Sequence, residues 1–212
     1  GAPAFQGDLL IADGRIAAIS RGPLERDPAL AGDHGLITRA RAAETIEAKG
    51  LLVTPGFVDV HTHYDGQATW DEMLAPSCWH GVTTIVMGNC GVGFAPVVPG
   101  REQRLIELME GVEDIPGAAL AEGVRFDWES FPQYMAALDA RPHTLDFLCL
   151  VPHDPLRMAV MGERALAGEA ATEGDIAAMR AQLREALQAG AVGGSNSAMT
   201  LTSFVSICGC DI

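Results

Sequence analysis

Residues 81–87 (Gly-Val-Thr-Thr-Ile-Val-Met) constrain the fold more than any other stretch of the chain. The run is β-branched and almost wholly apolar, which is the pattern of a strand buried on both faces. Such strands belong to parallel sheets covered by helices. Two further apolar runs, 51–59 (interrupted by Pro55-Gly56) and 145–151, alternate with segments of helical character. Residues 101–111 and 130–140 read as helices, the second with Ser130 as its N-cap. The clearest helix is 173–189, where Ile176, Met179, Leu183 and Leu187 recur at spacings of three and four behind Thr172 as N-cap. A short helix is expected over 71–80, although Pro76 opposes it, and a Gly-rich, partly acidic loop over 112–127. Ala191-Val192 opens a fourth strand. Strands alternating with helices imply βαβ units, and three to four of them fit the start of either a barrel or a doubly wound sheet. About 160 residues follow residue 51, too few for the roughly 250 of a complete eight-stranded barrel.

The first fifty residues follow another pattern. Two short apolar runs between residues 8 and 20 flank Asp13-Gly14, a hairpin signal because glycine tolerates positive φ in a tight turn. Residues 21–43 read as loop, and 44–48 as one more short strand. The expected organisation is a β-module over 1–50, a larger unit over 51–198, and a tail over 199–212.

The charge balance narrows the function classes. Twenty-eight acidic against fourteen basic residues give −14, without the clustered cations that phosphate binding needs, so nucleic acid is not an expected partner. No apolar run approaches the roughly 20 residues of a membrane span. No secretory leader opens the chain, while Gly rather than Met at position 1 leaves room for an upstream start. Five scattered cysteines, Cys78, Cys90, Cys149, Cys208 and Cys210, do not form a disulfide framework and point to a reducing compartment, the cytoplasm.

The chemistry concentrates at strand ends. In Phe57-Val-Asp-Val-His61-Thr-His63, side chains alternate faces, so His61 and His63 point the same way and can act as a pair of metal ligands. The competing reading is two polar histidines at the start of a loop. Cys90, in Met87-Gly-Asn-Cys90-Gly91, follows the next strand and would lie beside that pair if the strands are neighbours. As a thiolate it is a strong zinc ligand, and otherwise it is a buried structural cysteine. Asp65 could orient a ligand or contact substrate, or be a solvated carboxylate. His153, just after the third strand, faces either the same pocket or a loop hydrogen bond. The glycines from 88 to 93 lack a P-loop lysine and dinucleotide spacing.

Taken together these motifs resemble a known family. Pro55-Gly-Phe-Val-Asp-Val-His-Thr-His63 resembles the first-strand signature of the amidohydrolase superfamily. Gly81-Val-Thr-Thr-Ile-Val-Met-Gly-Asn-Cys-Gly-Val-Gly-Phe-Ala-Pro96 is similar to its N-acyl-D-amino-acid deacylase (D-aminoacylase) branch. Glu113-Asp-Ile-Pro-Gly117, Phe126-Asp-Trp-Glu-Ser-Phe131 and Leu156-Arg-Met-Ala-Val-Met-Gly162 agree, and the likeness extends from residue 1 to about 197. The resemblance implies part of a TIM-like (β/α)8 barrel preceded by strands of a small β-sandwich module. It implies zinc held by His61, His63 and Cys90, and hydrolysis of a small N-acyl-D-amino acid to a carboxylate and a D-amino acid. It also implies two further histidine ligands and a catalytic aspartate on later strands, beyond residue 212. On that basis no catalytic residue is identifiable in this chain, and the chain alone is expected to be inactive. Residues 199–212, with Cys208-Gly-Cys210, depart from the likeness. Hydantoinase-like and dihydroorotase-like relatives commonly use a carboxylated lysine on the fourth strand; here residues 190–197 contain none and Lys49 is the only lysine. A non-catalytic metal-binding or interaction module is the remaining alternative. The oligomeric state is left open.

Overall fold

A computed structural model describes residues 3–23 and 42–196. The chain divides into two compact units, Gly1–Thr54 and Pro55–Ile212. In the first, β1 (Leu9–Ala12) and β2 (Arg15–Ile19) form an antiparallel hairpin. Asp13 and Gly14 connect them with φ of 52° and 70°, the doubly left-handed turn whose twist matches the strands it joins. The Ser20 N–H donates to the Asp8 carbonyl at 3.0 Å and closes the hairpin base. Residues 44–48 form no strand, contrary to expectation: Ile46 is 81% exposed, so no facing surface rewards an extended conformation. Among the described residues the β-module is therefore one small antiparallel sheet. Most of the expected 21–43 loop, and all of the 199–212 tail, lie outside the described residues.

The second unit is built on a parallel sheet. Its strands are β3 (Phe57–Asp59), β4 (Val82–Met87), β5 (Asp146–Pro152) and β6 (Gly193–Ser195), in the order β3-β4-β5-β6. Each strand pairs with the next in sequence, as in a barrel. A doubly wound sheet would reverse its order at a switch point. The fold is thus the first half of a TIM-like barrel sheet, which resolves the alternative that the sequence pattern leaves open.

Helices α1 (Glu102–Glu113), α3 (Phe131–Asp139) and α6 (Glu173–Gln188) fall where the periodicity puts them. Ser130 caps α3 in a capping box with Gln133, and Thr172 caps α6 in another with Asp175. On α6 the buried residues are Met179 and Ala186, whereas Leu187 is exposed. The sheet and the helices share a core that includes Ile85, Met87, Met109, Tyr134, Leu138 and Val151.

Other elements differ from the expected pattern. The expected 112–127 loop contains α2 (Gly117–Gly123), whose Ala118, Ala119 and Ala121 are strong helix formers around the buried Leu120. Of the helix expected over 71–80 only a 3-10 turn, Ser77–His80, forms, just after Pro76, which removes a backbone donor; another 3-10 turn, Gln67–Thr69, precedes the segment. After β5, α4 (His153–Met161) and the short α5 (Glu163–Leu166) form despite Pro155. That proline sits in the first turn of α4, where an amide would have no partner within the helix. Among the described residues no helix is long and apolar enough to cross a membrane.

Candidate metal centre

The segment after β3 is stitched to the end of β4 by its own backbone. The N–H and Oγ1 of Thr62 both donate to the Val86 carbonyl, at 3.0 and 2.8 Å. Asn89 Nδ2 donates to that same carbonyl at 2.9 Å and to the Thr62 carbonyl at 3.3 Å. Thr62 thus turns toward β4 and is buried, and beyond the end of β3 the rings of His61 and His63 lie with centroids 5.4 Å apart.

Cys90 arrives from the turn that ends β4. Gly88, Cys90 and Gly91 all have positive φ (85°, 54° and 76°), a tight reversal that only Cys90 performs with a side chain. Gly88 has a second reason to lack a Cβ, because one there would lie 2.1 Å from the Leu150 carbonyl oxygen of β5. From β6, Ser195 Oγ donates to the Gly88 carbonyl and accepts from the Gly91 N–H at 3.3 Å, so it brackets the cysteine turn.

The result is a cluster in which one ligand atom from each of His61, His63 and Cys90 lies within 4.8 Å of the others. It is the one such group of three or more donors found among the described residues. His61 Nε2 is 3.2 Å from Cys90 Sγ. Two zinc donors at ordinary bond lengths and a tetrahedral angle stand about 3.6 Å apart, so an ion would need the pair to open by only a few tenths of an ångström. Two imidazoles and a thiol are donors suited to zinc. His63 Nδ1 is buried without a hydrogen-bond partner, as a metal-binding nitrogen in a site of this kind would be. The residues therefore fit a zinc ion.

Two carboxylates border the cluster. Glu113, the last residue of α1, places Oε1 3.2 Å from His63 Nε2. Asp65 is 3% exposed, and Oδ2 has no partner. Burial pushes its carboxyl up to about 7; the backbone N–H groups of Gly88 and of Asp65 itself oppose the shift, and the charge of Glu113 adds to it. The Tyr134 hydroxyl donates to the Asp65 carbonyl at 2.8 Å and fixes this part of the loop. Burial holds the His63 imidazole below its usual value, against the pull of Glu113 and with a contribution from His61. Burial, aided by Glu113, raises the Cys90 thiol.

His61, His63 and Cys90 come together, whereas Asp65 and His153 do not join the donor cluster. His153 opens α4 at the end of β5, and burial, then Arg157, lowers its pKa. Sequence reasoning assigned no site role to Glu113 or Ser195. Each stands in a segment that carries the family resemblance, and neither has a local pattern that reveals its contact.

Donors gathered at strand ends of a half-barrel sheet are where barrel proteins build their sites. The comparisons narrow the class. Residues 44–203 match the model of the amidohydrolase family, and the chain belongs to that family. It is 36% identical over 193 residues to an N-acyl-D-aspartate deacylase of Alcaligenes xylosoxydans xylosoxydans, covering 91% of this chain and 33% of the relative. It is also 36% identical to a D-aminoacylase of the same organism over 196 residues, 90% of this chain and 38% of the relative. Among solved structures it resembles an N-acyl-D-glutamate deacylase from Bordetella bronchiseptica complexed with zinc and a phosphonate mimic of the tetrahedral intermediate. There the TM-score is 0.63 at 35% identity, covering 92% of this chain and 35% of that one. The chain thus spans roughly a third of the length of these relatives.

Proposed function

We propose that the protein to which this chain belongs is a zinc-dependent hydrolase of the linear amide bond of N-acyl-D-amino acids, and that His61, His63 and Cys90 are metal ligands. The observation that carries the reading is the gathering of these three donors, which β3 and β4 deliver to one point. The substrate class is supported by the deacylase relatives, and the metal by the zinc complex of the D-glutamate enzyme. When bound, zinc supplies a Lewis acid that polarises an amide carbonyl.

The chain's own residues have more limited tasks. His61 and His63 offer imidazole nitrogens and Cys90 its sulfur, while Asn89, Thr62 and Ser195 hold those donors through the backbone. Asp65 and His153 are substrate-side candidates. In this reading residues 51–198 are the barrel part and the preceding residues the β-module. The chain alone is inactive, and the protein is cytoplasmic. The scattered cysteines support that compartment, and the acidity argues against nucleic acid as a partner.

Zinc affinity of the chain, measured by competition with a chromophoric chelator, tests the ligands. His61→Ala, His63→Ala and Cys90→Ser should each weaken binding by more than the roughly 10–100-fold that loss of an outer-shell partner costs. Zinc binding unchanged by all three substitutions would sink the assignment. Hydrolysis of N-acetyl-D-amino acids by the intact protein, with the L-isomers as controls, tests the substrate class.

A further inference from the structure

The turn that carries Cys90 has little stiffness of its own. Gly88 and Gly91 both take positive φ, and glycine offers no side chain to restrict the backbone there. Such a turn takes its shape from bonds made to the rest of the fold. On one side Asn89 Nδ2 donates to the Val86 and Thr62 carbonyls, which anchors the turn to β4 and to the segment after β3. The second anchor is Ser195, 104 residues beyond Gly91 in the chain. Ser195 is the last residue of β6, and β5 stands between β6 and β4 in the sheet. Its side chain therefore reaches across the end of β5 to meet the turn.

Chemistry fixes the direction of both its bonds. A carbonyl can only accept and an amide N–H can only donate, so the Ser195 hydroxyl gives its hydrogen to Gly88 and takes that of Gly91. Gly88 and Gly91 are buried, so without the hydroxyl each of these groups would lose this partner away from water. Cys90 lies between them, with Sγ 3.2 Å from His61 Nε2. Freed at both ends, a turn with glycines at 88 and 91 can rotate to satisfy its own polar groups and carry the sulfur away from the histidines.

We propose that Ser195 is a positioning residue of the metal centre: its hydroxyl clamps turn 88–91 at both ends, so that β6 sets where the Cys90 sulfur stands. The inference rests on the reading of His61, His63 and Cys90 as a zinc site. The full chain and its Ser195→Ala and Ser195→Thr variants test it. Amide hydrogen exchange at Gly91, without metal, reports the clamp. Titration with cobalt(II) reports metal affinity, and the sulfur-to-cobalt charge-transfer band at saturation reports whether Cys90 is bound. A merely structural role would lower stability and leave the band of the saturated, folded protein unchanged. Far-UV circular dichroism establishes folding.

Ser195→Ala should exchange the Gly91 amide about fivefold faster, as the loss of one hydrogen bond implies. It should also bind cobalt about tenfold more weakly, with a weaker charge-transfer band at saturation. Ser195→Thr keeps a hydroxyl and should stay near the parent in all three. Parent-like affinity and band in Ser195→Ala overturn the proposal. So do losses in Ser195→Thr as large as in Ser195→Ala, which would show that the hydroxyl is not what matters. If Ser195→Ala does not fold, the parent and Ser195→Thr still decide, because an unprotected Gly91 amide in either overturns the clamp. If the parent takes up no cobalt, the metal reading fails, while exchange at Gly91 still decides whether Ser195 holds the turn.

Discussion

Tyr134→Phe isolates one hydrogen bond that ties the helical layer to the metal loop. Tyr134 is 2% exposed, and its hydroxyl donates to the Asp65 carbonyl at 2.8 Å. The ring packs against Trp128 and Phe131, with centroids 5.0 and 5.7 Å away. Phenylalanine preserves those ring contacts, so the change removes the hydroxyl and little else. The deleted bond by itself contributes about 1 kcal/mol. The Asp65 carbonyl left without this donor in a buried setting raises the expected loss to about 1–3 kcal/mol. Urea unfolding under a chelator should show that loss as a lower midpoint with an unchanged slope. All three tryptophans, Trp70, Trp79 and Trp128, belong to the unit that carries the site, so their fluorescence reports that unit. Because Asp65 is two residues from His63, zinc affinity should fall as well. A stability change below about 0.3 kcal/mol would refute the reasoning, since it would mean that the carbonyl finds another donor at no cost. A changed slope would refute the assumption that the rest of the unit stays as it is.

Gly88→Ala should cost about 2–5 kcal/mol in the same assay, from left-handed strain together with the collision with Leu150. Gly100→Ala, at φ +86° but with open space around it, should cost only the strain of about 1–2 kcal/mol; equal losses at both sites would rule out the collision. Asp154 gives a pH signature: burial pushes its carboxyl up to about 6, partly offset by Arg157. The folded state then binds this proton more tightly than the unfolded chain, so the contribution of Asp154 to stability is full below about pH 4 and is lost as pH rises through about 6. After discounting for partial exposure the loss is about 1–2 kcal/mol. Asp154→Asn should flatten that part of the stability curve, and an identical pH profile in the variant would refute the burial argument.

The sheet was legible where sequence periodicity and burial coincide. Residues 81–87 and 145–151 become β4 and β5 because apolar β-branched runs fit a strand covered on both sides. Residues 51–59 read as a longer strand than the three residues of β3, since apolar composition alone does not show how far pairing extends beyond Pro55-Gly56. The segment that becomes α4 contains Pro152 and Pro155, residues that a helix interior excludes. At the N-cap and in the first turn they are compatible with a helix, and only the placement of the helix start decides which holds. The histidine pair was legible from its i, i+2 spacing, although both residues lie beyond the end of β3 at Asp59, and Cys90 only as a residue that would meet the pair if β3 and β4 were neighbours, which they are. Glu113 was not legible as a contact, because α1 has to pack before its C-terminal end reaches His63.

Several features that local rules disfavour meet at this site. Cys90 holds φ of 54° between Asn89 and Gly91, a conformation that costs a side-chain-bearing residue about 1–2 kcal/mol and that glycine would adopt freely. Glu113 stands at the helix end that repels its charge, and its field reaches His63, Asp65 and Cys90 alike. Asp65 is buried with an oxygen that has no hydrogen-bond partner. Each feature alone is a modest instability. Together, around His61, His63 and Cys90, they form surroundings that suit a cation: a side chain held toward a point, an acidic field, and lone pairs without other partners. A cation entering that point would offset the repulsion among these groups. The metal-free chain should therefore gain stability on adding zinc, rising with free zinc as RT ln(1 + [Zn]/Kd), and an unfolding midpoint indifferent to zinc would contradict this account.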